Sequence, residues 1–241
     1  MNSWKSLLAG ALTAALLAPS LAMPAARAQD APPPITISVL GTYSTGQLDA
    51  AAAEIVAYHA GTQRAYVVNG GDKTIDILDV SDPTNPTLVS QVDMTQYGDA
   101  ATSVATFQDI VAVAVPAAEK TDPGAVVFLD LDGALLGQVT VGALPDMVTF
   151  TPDGRYVVTA NEGEPNADYS VDPEGSVSVI DVSGGIAALT EESVRTAGFS
   201  QFNDAEIDAR IRVYGPDATV AQDLEPEYAA VSADSTTAFV T

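Results

Sequence analysis

The sequence predicts an all-β protein of the β-propeller class, YVTN/WD40-like in repeat length and incomplete, with about four blades of a larger ring. Three observations predict it. Short runs rich in β-branched residues, such as Tyr66-Val67-Val68, Ile110-Val111-Ala112-Val113-Ala114-Val115 and Tyr156-Val157-Val158-Thr159, have the length of ordinary strands. Turn residues separate them, as in Asn69-Gly70-Gly71-Asp72, Asp82-Pro83, Asp132-Gly133 and Pro152-Asp153-Gly154; Gly supplies positive φ, Pro fixes φ, and Asn or Asp bonds its own backbone. The runs also recur in a fixed order. Units open at Glu54, Thr102, Asp146 and Glu227, which are 48, 44 and 81 residues apart, and a period of about 40–50 residues with four strands is that of a propeller blade.

The amino terminus reads as an address. Lys5 precedes an apolar, Ala-rich stretch from Leu7 to Ala22, and Ala26-Arg27-Ala28 is a small-x-small cleavage signal. A membrane anchor would want about 20 strongly apolar residues. Residues 1–28 are therefore expected to be a signal peptide, and the chain to be secreted, periplasmic or displayed at the cell surface, without membrane insertion of the mature part. Residues 29–35, with Pro32-Pro33-Pro34, form a stiff linker, and residues 36–241 the partial propeller domain. Ile35-Thr36-Ile37-Ser38-Val39 reads as its first strand.

Within that domain the first unit runs through Arg64–Asn69, Thr74–Val80 and Thr87–Val89. The second runs through Ile110–Val115, Ala125–Asp130 and Gly137–Val141. The third runs through Arg155–Asn161 and Ser176–Val182. The longer last interval is expected to hold an insertion from Phe202 to Asp223. The fourth unit reaches only its second strand, Ala238-Phe239-Val240-Thr241, so the remainder of a ring is expected to lie beyond it; an open ring would leave a sheet edge unpaired.

Composition narrows the function. Taking Lys5 and Arg27 from the nine basic residues leaves seven against 32 acidic ones, net −25. Phosphates would be repelled, which excludes nucleic acid. The surplus acid suits a cation-binding surface or life in salty medium, and equally a surface kept acidic for solubility. Cysteine is absent, which excludes disulfides, thiolate metal sites and cysteine nucleophiles. Trp4 is the only tryptophan and leaves with the leader, so no Trp-Asp blade signature remains.

The carboxylates are the candidate site. Glu54, Thr102, Asp146 and Glu227 stand at the opening of successive first strands, the innermost strands of propeller blades. Three carboxylates would thus meet at one mouth of the central channel, where like charges repel unless a cation is bound or some are protonated. A hard oxygen-ligand cation such as Ca²⁺ suits them; the plainer reading is that each caps a turn and faces solvent. Glu162 and Glu164, in the loop Asn161-Glu162-Gly163-Glu164-Pro165-Asn166, add oxygen donors near two turn glycines, outside the EF-hand spacing. Glu225 and Glu227 flank Pro226 in extended backbone and are expected to point to one side. His59 is the only histidine and has no nucleophile-elbow motif near it, which leaves catalytic residues unknown.

The segments Val141-Gly142-Ala143-Leu144-Pro145-Asp146-Met147-Val148, Ala160-Asn161-Glu162-Gly163-Glu164-Pro165, Asp172-Pro173-Glu174-Gly175-Ser176 and Asp223-Leu224-Glu225-Pro226-Glu227-Tyr228 resemble the choice-of-anchor I family of exported bacterial propellers, similar also to the mesenchyme-specific cell-surface glycoprotein group. The resemblance implies an extracellular or surface setting, and some similar members carry an alkaline phosphatase label. The chain departs from the pattern at Thr102, where the family usually has asparagine, and before Arg210. The expected function is an exported acidic propeller that binds a divalent cation at Glu54, Asp146, Glu162, Glu164, Glu225 and Glu227, together with a small ligand or a surface protein. The alternative is a calcium-dependent phosphoesterase.

Overall fold

A computed structural model describes residues 35–241. The expected leader, 1–28, and linker residues 29–34 lie outside the described residues. The chain divides into Met1–Ser38 and Val39–Thr241. The expected strand Ile35–Val39 is absent: its residues are exposed and join no ladder. A β-branched run forms a strand only where a neighbour can take its N–H and C=O groups.

Residues 39–241 form three four-stranded antiparallel sheets and a two-stranded one. Sheet one holds β1 (Val56–His59), β2 (Arg64–Asn69), β3 (Thr74–Asp79) and β4 (Thr87–Asp93). Sheet two holds β5 (Ser103–Phe107), β6 (Ile110–Val115), β7 (Pro123–Leu129) and β8 (Leu135–Ala143). Sheet three holds β9 (Pro145–Phe150), β10 (Tyr156–Asn161), β11 (Ser176–Asp181) and β12 (Val194–Gly198), and the last sheet β13 (Ala229–Val231) and β14 (Ala238–Val240). In each, strands pair in chain order, as short turns between antiparallel neighbours require. β12 was not expected as a strand: Val194-Arg195-Thr196-Ala197-Gly198 is too polar for the pattern, and pairing with β11 makes it one.

The packing explains the strand sequences. In β6, Val111, Val113 and Val115 face sheet one, against Tyr66, Val68, Ile75 and Ile77. The alternate residues Ala112 and Ala114 face sheet three, against Val148, Phe150 and Val157. In β7, Val127 and Leu129 turn toward sheet one while Val126 and Phe128 turn toward sheet three. A strand covered on both faces needs apolar residues at every position rather than at every second one. Each fully buried Val, Leu or Phe contributes about 1.5–3 kcal/mol relative to exposure, so the sheet-to-sheet contacts carry most of the stability. Val158 and Val177 begin the same stacking onto Ala229 of β13.

The sheets therefore succeed one another as propeller blades do, with β1, β5, β9 and β13 each touching the next. The four sheets do not close a ring. Residues 39–53 carry no regular structure and lie on the face of sheet one turned away from sheet two, beside Val67 and Asp76. They are tied down by the Gly70 N–H donating to the Ala51 carbonyl (2.9 Å) and by Gln47 Nε2 donating to Asp72 (2.8 Å). The stretch expected as an insertion, Phe202 to Asp223, holds no strand; the 3-10 turn Ser200–Phe202 precedes it and the single helical turn α1, Val220–Asp223, ends it.

Candidate functional site

β1, β5, β9 and residues 227–228 enclose a pocket of about 580 Å³ lined at one end by Glu54, Thr102, Asp146 and Glu227. The four unit-opening positions thus line one pocket. Backbone pairing fixes three of them. The Glu54 N–H donates to the Val68 carbonyl at 3.1 Å, that of Thr102 to Ala114 at 3.1 Å, and that of Glu227 to Thr241 at 2.9 Å. Asp146 is the second residue of β9. Thr102 has a separate job: its hydroxyl donates to the Pro145 carbonyl at 2.5 Å, tying sheet two to sheet three beside Asp146.

Glu162 is brought in by an unusual joint. Only Leu144 separates β8, the last strand of sheet two, from β9, the first of sheet three. Leu144 adopts φ 47°, a left-handed conformation that costs a bulky residue roughly 1–3 kcal/mol. In return the Leu144 carbonyl accepts the Glu162 N–H at 2.8 Å and the Ala143 carbonyl accepts the Gly163 N–H at 3.2 Å. The loop after β10 is then packed against two others through glycines. Gly163 has φ 73°, and a Cβ there would sit 2.8 Å from the Glu174 carbonyl. A Cβ at Gly175 would lie 2.1 Å from the Leu224 carbonyl oxygen. Glu162, Glu164 and Glu225 are half-buried as a result.

The electrostatics join the six acids. Burial, then the charges of Asp146, Glu164, Glu225 and Glu227, push Glu162 up to about 7. Burial, then Glu227 and Glu54, raise Asp146. Burial, then Glu164, Asp223, Asp172 and Glu227, raise Glu225. Glu54, Glu164 and Glu227 enter as charges acting on these three. Asp172 belongs to the same neighbourhood: burial and then Asp223 raise it, and its Oδ1 is buried without a hydrogen-bond partner. In this conformation no three His, Asp or Glu side chains converge tightly enough to hold a metal ion among the described residues.

Other acids are spent locally. Asp223 accepts the N–H groups of Tyr214 (2.6 Å) and Gly215 (3.1 Å), holding the insertion. Asp168 is lowered by the Ser170 hydroxyl and N–H, in a self-contained exposed turn. His59, at the other end of β1, shares a 2.8 Å hydrogen bond with the Thr62 hydroxyl. One partner of the site escaped the sequence reading: Lys120, in the β6–β7 connection, whose Nζ lies 2.5 Å from Glu164 Oε2. Nothing in Glu119-Lys120-Thr121 distinguishes it locally, because the contact spans 44 residues.

The choice-of-anchor I domain model matches residues 54–241, from the first mouth carboxylate to the last residue. The chain belongs to the choice-of-anchor I family. No curated protein matches it in sequence. Among solved structures, a structural-genomics protein from Lactobacillus plantarum is 16% identical with a TM-score of 0.50, over 78% of this chain and 50% of that one. The mitotic checkpoint complex is similar at 13% identity and TM-score 0.48, over 77% of this chain and 44% of that one. Hydrazine synthase of Kuenenia stuttgartiensis is similar at 18% identity and TM-score 0.45, over 55% and 35%. The chain thus spans half or less of these structures. The likeness to the Lactobacillus protein concerns the fold alone, and it agrees with the propeller-like succession of sheets in this choice-of-anchor I domain. No helix among the described residues is long and apolar enough to cross a membrane.

Proposed function

We propose that this domain works outside the cell or at its surface and binds a divalent cation, calcium by preference, at the acidic mouth of its channel. One observation carries the reading: burial, with the charges of Asp146, Glu164, Glu225 and Glu227 added to it, pushes Glu162 up to about 7. Uncompensated like charge at a half-buried place costs stability, and a bound cation removes that cost. The donors are all hard oxygens, and Ca²⁺ accepts about six to eight of them in flexible geometry. The side chains of Glu54, Glu162, Glu164 and Glu227 are half-buried or exposed, so they can turn inward around an ion without disturbing the sheets.

The cation would in turn offer free coordination positions to a small ligand or a surface protein, with Tyr228 exposed beside the mouth. The phosphoesterase reading gains no support from the arrangement. The only histidine is engaged with Thr62, and the hydroxyl of Thr102 is occupied by Pro145. Calorimetric titration of the chain with Ca²⁺ tests the proposal. Saturable binding is expected, with Mg²⁺ weaker because it dehydrates reluctantly and demands octahedral geometry. Absence of binding by either ion would end it.

A further inference from the structure

We propose that Thr36-Ile37-Ser38-Val39-Leu40 of one copy of this chain pairs with the open edge of β14 in a second copy, as the third strand of the sheet that β13 and β14 leave unfinished. The inference is independent of the cation-binding reading above.

The edge is fit to receive a strand. Sheets one to three each have four strands and the last has two, a number that is marginal by itself. The N–H groups of Tyr228 and Thr241 each donate to the other's carbonyl, at 3.2 and 3.0 Å. Such pairs alternate along an antiparallel ladder, so Ala230 and Phe239 form the next one. Ala238 and Val240 therefore turn their N–H and C=O groups to the open side. Thr237-Ala238-Phe239-Val240-Thr241 carries no charged side chain, no proline and no bulge, the devices that keep a free edge from pairing. Beside it lies a cavity of about 210 Å³, bounded by Val158 and Val179 of sheet three and by Val231 and Ala238. Val179 belongs to β11, the third strand of its own sheet.

Residues 36–40 read as the missing strand. Thr36-Ile37-Ser38-Val39-Leu40 repeats Ser176-Val177-Ser178-Val179-Ile180 of β11 and Thr74-Ile75-Asp76-Ile77-Leu78 of β3 residue for residue in kind. In the finished sheets Leu78, Leu129 and Ile180 stand opposite Ala65, Val111 and Val157 of the second strands, and all three are buried. Ala238 is the corresponding second-strand residue, because Val240, like Val67, Val113 and Thr159, pairs with the residue two places after a unit opening. In that register Leu40 enters the cavity opposite Ala238, Ser38 faces Val240, and Val39 covers Phe239. Val39 and Phe239 are 84% and 62% exposed in the single copy, and a directly opposed aromatic and β-branched pair stabilises a sheet.

The donor is a second copy because Leu40 adjoins an anchor. At Gly41 the backbone packs on the Pro83 and Thr84 carbonyls so closely that a Cβ has no room. Along the stack, three sheet-to-sheet spacings of about 10 Å each separate that anchor on sheet one from β14 of the same copy. No slack lies between residue 40 and the anchor to cover them. Each copy offers one arm, beside sheet one, and one edge, in the last sheet, so two copies that exchange arms about a two-fold axis satisfy both and close.

The chain contains no cysteine, so a disulfide can report the register. Val39→Cys combined with Phe239→Cys puts two thiols directly opposite, in a pair without mutual hydrogen bonds and with Cα atoms about 4.5 Å apart, inside the span of a disulfide. Residues 29–241 carrying both changes, oxidised in high salt to screen the copies' shared negative charge, should give a covalent dimer whose linked peptides join residue 39 to residue 239. Ser38→Cys with Phe239→Cys, which moves one thiol to the other face, should give little. The unsubstituted chain should sediment as a concentration-dependent dimer, and removal of residues 29–40 should abolish the dimer while circular dichroism shows the sheets intact. A chain monomeric at every concentration, a dimer that persists without residues 29–40, a 39–239 disulfide formed within one copy, or equal linkage in the Ser38→Cys control overturns the proposal.

Discussion

The Leu144 carbonyl accepts the Glu162 N–H at 2.8 Å, and this one bond carries the end of β10 to the mouth where Asp146 stands. The bond is available because Leu144 holds φ at 47°. Glycine reaches that conformation without strain, whereas a β-branched residue does so with difficulty. Leu144→Gly is expected to keep Ca²⁺ affinity within about twofold. Leu144→Val is expected to lose about 1–3 kcal/mol of stability and to bind Ca²⁺ more weakly, as read by chemical denaturation and titration. Equal stability and affinity in the two variants would contradict the role given to this joint.

Gly175 makes a second joint. Its absent side chain leaves room for the Leu224 carbonyl oxygen, which a Cβ would meet at 2.1 Å. Gly175→Ala must push residues 221–226 away, and with them Glu225. The expected result is a lower Tm and a smaller Tm rise on adding Ca²⁺. A variant with unchanged Tm would show that the three loops are not packed as described.

Stability should follow pH in two separate windows. Glu162 has a folded pKa raised from 4.5 to about 7; its contribution is complete below 4.5 and is lost as pH rises through 7. The turn acids Asp79, Asp82, Asp93, Asp153, Asp181 and Asp234 are lowered, chiefly by neighbouring hydroxyls. Their contribution is lost only as pH falls below 3.8, the usual carboxyl value. Without calcium, Tm should therefore decline from about pH 5 to about pH 8, and saturating Ca²⁺ should flatten the decline. A Tm that rises over that interval would contradict the crowding of acids.

The contacts between sheets should be independent of the mouth. Phe128, fully buried between sheets two and three, is expected to cost about 3–5 kcal/mol when replaced by alanine. Its variant, measured where it remains folded, should retain the calcium-dependent rise in Tm. Loss of that rise would mean that core and site are coupled in a way the structure does not account for.

How far the sequence could be read follows from how local each signal is. The alternating burial of β6, valines toward one sheet and alanines toward the other, is written along Ile110–Val115 itself. The unit spacing singled out Glu54, Thr102, Asp146 and Glu227, which line one pocket, because a repeat puts equivalent residues in equivalent places. The strand expected at Ile35–Val39 failed for the converse reason: β propensity does not supply a pairing partner. β12 was missed because Val194–Gly198 is a strand only by virtue of β11. Glu162 could be suspected from its acidic loop, but its approach to Asp146 depends on the left-handed Leu144, and a leucine does not announce such a turn. Lys120 is the extreme case, since its link to Glu164 depends wholly on how sheets two and three stack.

The most direct test of the account is a calcium titration monitored by Tm, comparing the wild-type chain with Glu162→Gln at about pH 8, where Glu162 is ionised. The account predicts that Glu162→Gln is the more stable protein without calcium, because one crowded charge has gone, and that its rise in Tm with calcium is much smaller than that of the wild type. A wild-type Tm indifferent to calcium, with Glu162→Gln no more stable than the wild type, would contradict it.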